Sequence, residues 1–257
     1  MPGHIDPASE GPLYRQIAEN LRQEILVGRL GPGDSLPSES SLMETYGSAR
    51  GTVRQAIALL KSEGVLEVRR GRGAFVRVRP RVRRLAYDRF SRVHRERGDS
   101  AFLAELKAQG QHPEVELIKV GTEKASSEVA RRLGKRSGTK VVIRRRRYFA
   151  DGHPIELATS YLPLKLVDGS PITDPNPGPG GIYARLEEMG YKLSRFTEEV
   201  TARMPLPDES RALMLSGGVP VIHLIRIAYD TEGIPVEVCD TVMAADSFIL
   251  SYELPAT

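Results

Sequence analysis

Two blocks of the chain repeat each other, and that repetition narrows the possible folds more than any other feature. The first reads EVARRLGKRSGTKVVIRRRRYFADGHPIELATSYLP over 128–163, and the second reads ESRALMLSGGVPVIHLIRIAYDTEGIPVEVCDTVMA over 209–244. Each passes through a short helical stretch, a leucine, a glycine, an apolar run, a turn with Asp and Gly, then x-P-[IV]-E-[LV] and a second run. Asp and Gly between two such runs signal a tight hairpin. Each block is expected to be a helix followed by a β-hairpin. Two hairpins can pair into one antiparallel sheet, with the helices on a face or at the ends.

Alternation assigns the faces. In the second block Val221, His223, Ile225, Ile227 and Tyr229 share one side, and Ile222, Leu224, Arg226 and Ala228 share the other. Superposing the repeats matches Arg146 with Arg226 and Glu156 with Glu237, and puts Arg144, Arg146 and Tyr148 on one face. Arginines on a sheet face fit capture of an anion, or an exposed face whose charges guard it against pairing. Between the blocks, PITDPNPGPGG (171–181) reads as a loop, Ile182, Leu186 and Met189 have helical spacing, and FTEEVTARM alternates like a strand.

The first third of the chain has another character. Leu13, Ile17, Leu21 and Ile25 form one helical stripe behind Pro12, which ends toward Gly28 and Gly31-Pro-Gly33. Ser38 is placed to cap a short helix through Tyr46, with Gly47 as its stop, and Ser48 to cap a third helix over 49–63. Val53, Ile57 and Leu60 face the core of that helix with Ala56 and Leu59 beside them, while Arg50, Arg54 and Lys61 lie on another arc. VLEV (65–68) and AFV (74–76) read as short strands joined by Arg-Arg-Gly-Arg-Gly, a tip that needs glycine for positive φ.

Charge divides the same way. Residues 1–95 hold 17 Lys and Arg against 10 Asp and Glu, and residues 96–257 hold 20 against 23. A basic region joined to an acidic one fits a polyanion-binding module attached to a second domain. Helix, short helix, helix and basic hairpin describe a winged helix-turn-helix. Arg50 and Arg54 can reach base edges or phosphates, and Arg69, Arg70 and Arg72 can neutralise backbone charge. Arg77 to Arg84 (RVRPRVRR) reads either as a linker lying over phosphates or as a solvated connector.

PLYRQIAENLRQEI…GRLGPGDSLPSESSLMETYGSARGTVRQAIALLKSEGVLEVRRGRGAFV resembles the DNA-binding domain of the GntR family of bacterial transcription regulators. The resemblance implies that Arg50, Gly51, Thr52 and Arg54 face DNA, with the wing at Arg70 and Gly71 on the minor groove or backbone. Ala49 stands where the family usually has Ser or Thr, and Ser40 where many relatives carry arginine. From about residue 98 to 254, RRRRYFADGHPIELATSYLP, GGIYARLEEMG and GIPVEVCDTVMAADSFILSYEL resemble the UTRA effector-binding domain of the HutC branch, which is similar to the chorismate lyase fold. The fold class implied is α+β in two domains. Residues 11–78 form a winged helix-turn-helix, 79–97 a linker, and 98–254 a UTRA domain with an antiparallel sheet.

The candidate effector-binding residues are Phe102, Arg144, Arg146, Tyr148, Tyr183, Arg226 and Glu237. In sugar-phosphate-sensing relatives an Arg-x-Arg and a serine hold phosphate. Here the partner of Arg146 is Tyr148, the serine position is Gly181 and one glutamate position is Ala158. These departures imply a more apolar pocket for an uncharged or singly charged molecule. The resemblance further implies a homodimer formed through the C-terminal domains, a palindromic double-stranded DNA operator, and an effector-controlled regulator, most simply a repressor.

Other chemistry finds little support. The chain has no G-x-S-x-G and no phosphate-binding G-x-x-x-x-G-K-[ST]. His4, His94, His112, His153 and His223 lack ligand spacing and Cys239 stands alone, so no metal, cofactor or catalytic residue is expected. The lone cysteine and the missing secretory pattern or apolar span give the expectation of a cytoplasmic protein without membrane contact. A lyase-fold enzyme and an architectural DNA-binding protein are the alternatives. The first would turn over its ligand, and the second would bind DNA without sequence preference.

Overall fold

The computed structural model describes residues 11–69, 71–78, 82–86, 89–254 and 256. The chain divides into two compact units, residues 1–79 with 215–219, and residues 80–214 with 220–257.

In the first unit α1 (Leu13–Leu26), α2 (Glu39–Tyr46) and α3 (Arg50–Ser62) precede the antiparallel strands β1 (Leu66–Arg69) and β2 (Gly73–Val76). Ile17, Ala18 and Leu21 of α1 pack with Leu42, Tyr46, Val53, Ala56 and Leu60, and Leu66 and Val76 close the same core. The Ser38 hydroxyl accepts the Ser41 N–H at 3.1 Å, and Gly47 ends α2 with a φ of 57°. The expectation for Ser48 fails. Ala49 is the N-cap of α3 and brings no side-chain bond, while Ser48 is buried one residue too early to reach the first turn. Segment 33–36 runs beside β2, through Leu36 N–H to Ala74 O at 2.8 Å and Val76 N–H to Asp34 O at 2.8 Å.

The second unit begins with β3 (Val82–Leu85), α4 (Arg92–Glu96) and α5 (Ala101–Ala108). Then come β4 (Pro113–Lys124), α6 (Ser127–Arg132), β5 (Lys140–Ala150), β6 (His153–Pro163) and α7 (Leu164–Val167). The chain continues through α8 (Gly181–Glu188), β7 (Leu193–Arg203), α9 (Pro207–Ala212), β8 (Val221–Asp230), β9 (Pro235–Ala244) and β10 (Phe248–Ser251). Six strands form one antiparallel sheet in the order β4-β5-β6-β9-β8-β7. The repeat is one strand longer than the sequence suggests: β4-α6-β5-β6 and β7-α9-β8-β9 share one plan and meet at β6 and β9. Asp151 and Gly152, with φ of 49° and 75°, turn the first hairpin. In the second, Asp230 Oδ1 accepts the N–H groups of Glu232 and Ile234 at 3.0 and 2.8 Å.

Helices pack on both faces of the sheet's central strands. Ala130 and Leu133 pack on Val141, Ile143, Ile227 and Val238. On the other face Phe102 and Leu106 of α5 pack on Ala158, Leu224, Cys239 and Met243, together with Val82 of β3 and Phe248 of β10. Those last two strands pair in parallel. Part of the expected linker, 79–97, is therefore a strand and a helix of the second unit. Arg84, expected over phosphates or in solvent, is 3% exposed. Its charge is met by Glu156 at 2.5 Å and Glu105 at 3.3 Å, both buried, which is what makes the inward position tolerable.

Candidate functional site

The N-terminal end of α3 presents Arg50, Gly51, Thr52 and Arg54 together. The two arginine side chains are 61% and 64% exposed. A Cβ at Gly51 would meet nothing within 4 Å. The first turn of α3 holds no acidic residue, and its cap makes no side-chain bond; the Ala49 carbonyl accepts the Thr52 and Val53 N–H groups at 3.0 and 3.2 Å, at the positive end of the helix dipole. Glu39 lies between the arginines, 2.9 Å from Arg54 Nε and 3.7 Å from Arg50 Nε. Such exposed pairs are weak.

The hairpin tip gathers the second set. Gly71 and Gly73 have φ of 75° and 99°, which side chains rarely adopt. Arg69 pairs with Glu67 and lies 4.7 Å over the ring of Phe75, and Arg72 is exposed. Arg70 lies outside the described residues.

The second unit holds a cavity of about 380 Å³, and all seven residues expected to bind an effector line it. Arg144, Arg146 and Tyr148 alternate along β5, Arg226 comes from β8, Glu237 from β9, Phe102 from α5 and Tyr183 from α8. The duplication explains part of this convergence. Arg146 stands opposite Ala158 and Arg226 opposite Cys239, while Tyr148 faces Glu156 and Ala228 faces Glu237. A register shift follows at the same place in each hairpin, after Tyr148 and after Ala228.

The seven are not equivalent. Arg144, 2% exposed, donates to the carbonyls of Ile172 at 2.7 Å, Pro175 at 2.9 Å and Asp174. Burial, then the charge of Arg146, pushes its pKa down to about 10, so it stays a cation at neutral pH. Its Nη groups hold the 172–175 loop. Arg146 donates through Nη2 to Ser160 Oγ, and its Nε has no partner among the described residues. Arg226 Nε donates to Tyr183 Oη at 3.1 Å, and Tyr183 donates onward to Glu237 Oε2 at 2.5 Å. Burial raises the Tyr183 pKa well above the usual phenol value, keeping it a neutral donor. Glu237 is 0% exposed, and its Oε1 has no partner. The cavity thus offers unused donors and an unused acceptor in a shell of Phe90, Phe102, Leu103, Val115, Leu117 and Ile182.

Sequence reasoning missed Arg89, Phe90, Arg95 and Glu156, which also line the cavity. The first three fall in the stretch read as linker. The available signal was an aromatic between cations, Asp88-Arg89-Phe90-Ser91-Arg92. Phe90 stacks on Phe196 at 4.1 Å and lies 4.8 Å from the Arg226 guanidinium. Arg95 is engaged by Glu187 at 3.2 Å and by the Phe90 carbonyl at 2.8 Å. His223 bonds to Asp240 at 2.8 Å, lining a separate cleft with Arg132 and Glu199. Cys239 is buried. Among the described residues no group of His, Cys, Asp and Glu is placed to hold a metal, and no helix is long and apolar enough to cross a membrane.

Comparison with known proteins agrees with this geometry. The UTRA domain pattern matches residues 108–249, and that of the bacterial regulatory proteins of the gntR family matches residues 13–76. An HTH-type transcriptional regulator of Streptomyces coelicolor is 33% identical over 252 residues, covering 96% of this chain and 94% of that protein. The HTH-type transcriptional repressor NagR of Bacillus subtilis is 28% identical, covering 95% of this chain and 96% of its own length. The crystal structure of PhnF from Mycobacterium smegmatis superposes with a TM-score of 0.60 at 25% identity, covering 93% of this chain and 99% of PhnF. The Streptomyces and Bacillus relatives are named transcriptional regulators, not enzymes. The two matched domains cover most of the chain, and this chain belongs to the GntR family of transcriptional regulators, in its UTRA-bearing HutC branch.

Proposed function

We propose that the protein is an effector-responsive repressor that binds a two-fold-symmetric operator as a homodimer. The observation that carries this reading is the convergence of the seven candidate residues on one cavity, with Glu237 Oε1 buried and unpartnered. A buried oxygen without a hydrogen bond is costly, and a bound molecule with a donor removes that cost. Residues 11–78 would bind DNA through Arg50, Gly51, Thr52, Arg54, Arg69, Arg70, Gly71 and Arg72. Residues 98–254 would bind the effector and dimerise. Two heads on two half-sites multiply discrimination and explain why such operators are palindromic. NagR is named a repressor, as is the mannosyl-D-glycerate system regulator MngR of Escherichia coli, 28% identical over 223 residues. Effector and operator then share a coupling free energy, typically about 1–3 kcal/mol, that acts equally in both directions.

The test is selection from a random duplex pool near 150 mM salt, where purely electrostatic binding is suppressed. A symmetric motif whose affinity changes with a cavity-bound molecule supports the reading. Sequence-blind, salt-sensitive binding with no symmetric motif would sink it.

A further inference from the structure

Arg89 is the most unusual cation in the second unit. It is 8% exposed and lines the cavity, yet neither Nε nor Nη1 has a hydrogen-bond partner among the described residues. Its nearest carboxylate oxygen, Glu105 Oε2, is 3.8 Å from Nη1, beyond hydrogen-bond range, and that same oxygen lies 3.3 Å from Arg84 Nε. Arg84 also takes Glu156 at 2.5 Å. Glu156 and one oxygen of Glu105 are thus shared with its neighbour, while Glu105 Oε1 has no hydrogen-bond partner among the described residues. Burial, then the charge of Arg84, pushes the Arg89 guanidinium down from its ordinary value.

Arg144 and Arg146, also on the cavity wall, each keep an unpartnered Nε among the described residues but have Nη donors engaged. Arg144 is held by neutral carbonyls and Arg146 by the Ser160 hydroxyl. Buried guanidinium donors left unmade are expensive, and a small anion is the group that satisfies them. The remaining wall is apolar and aromatic, with Phe102 and Tyr148 in contact at 4.6 Å between ring centroids.

We propose that Arg89 receives the charge of a small organic monoanion, a carboxylate on an aromatic or branched aliphatic body, bound in this cavity. The inference rests on reading the cavity as an effector site. A carboxylate suits it better than a phosphate ester because Arg144 is already engaged, leaving fewer cations for a dianion. Arg89 also stands between β3 and α4, in the chain that follows the DNA-binding unit, so its capture acts on that segment first.

The experiment is calorimetric titration of the full chain with a panel of phenyl-, indolyl- and branched alkyl carboxylates. Each is run beside its own primary amide, with inorganic phosphate and glucose 6-phosphate for comparison. At least one carboxylate is expected to bind about tenfold or more tighter than its amide. Arg89→Gln is expected to remove that preference and leave amide binding unchanged, while Arg89→Lys keeps part of it. Amides that bind as well as their acids overturn the proposal. So do carboxylates indifferent to Arg89→Gln, a phosphate ester that outbinds every carboxylate, or a panel in which no carboxylate reaches a Kd of about 1 mM. Ala158→Phe, which fills the cavity, separates the two claims. If it abolishes binding of a neutral ligand, only the ligand class is wrong. If binding survives it, the cavity reading falls as well.

Discussion

Arg84 Nη2 lies 2.5 Å from Glu156 Oε2, and the two side chains are 3% and 4% exposed. Breaking such a pair leaves a buried charge alone, which typically costs about 3–5 kcal/mol. Arg84→Ala and Glu156→Ala are each expected to destabilise the second unit by about that amount. The double replacement Arg84→Met with Glu156→Leu is expected to recover most of it. Urea unfolding of the three variants reads the difference, and a double variant no better than the singles contradicts the account.

The same pair gives a pH dependence. Burial pushes the Glu156 carboxyl up, but Arg84 and Arg89 outweigh burial and hold it below the usual carboxylate range. A depressed folded-state pKa contributes stability above the unfolded value, about 4.3, and loses it as pH falls through the folded value. The melting-temperature gap between the native chain and Glu156→Gln is therefore expected to be constant near neutrality and to close below about pH 4. A gap that persists into stronger acid would show that Glu156 acts by packing alone.

Tyr183 holds the centre of the cavity network, donating to Glu237 and accepting from Arg226. Tyr183→Phe keeps the ring against Phe90 and Phe196 but removes the hydroxyl. It leaves a fully buried carboxylate without its donor, at a cost of about 1–3 kcal/mol. Thermal unfolding is expected to show this loss, and an unchanged transition would mean that Glu237 finds another donor.

At the other unit, Arg54→Ala is expected to weaken operator binding about five- to hundredfold if Arg54 reads a base edge. Arg72→Ala is expected to weaken binding to all sequences alike and to lower the salt slope by about 1. Fluorescence anisotropy on specific and scrambled duplexes at several salt concentrations separates these. Equal losses on both duplexes for Arg54→Ala would place it on phosphate.

The cavity was legible where alternation was intact. Arg144, Arg146 and Tyr148 fall on one face because β5 is regular there, and the repeat carries the same logic to Arg226 and Glu237. β4 escaped because its register shifts between Leu117 and Lys119, which breaks the period of two. β3 escaped because Val-Arg-Arg-Leu reads as solvent-facing. The burial of Arg84 is decided by Glu105 and Glu156, 21 and 72 residues away, and nothing in the local sequence announces them.

The shared plan of the two sheet halves bears on how a ligand is oriented. One β-α-β-β plan alone would leave the outer edge of its last strand open, and the second copy covers it. The joined sheet thus has an internal pseudo-symmetry, and the cavity draws on both hairpins. Identical halves would present the same groups to either end of a ligand. Arg84, from outside the duplicated plan, occupies Glu156, while the counterpart Glu237 keeps one oxygen open. The two halves of the cavity wall are therefore chemically unlike, as an unsymmetrical molecule requires.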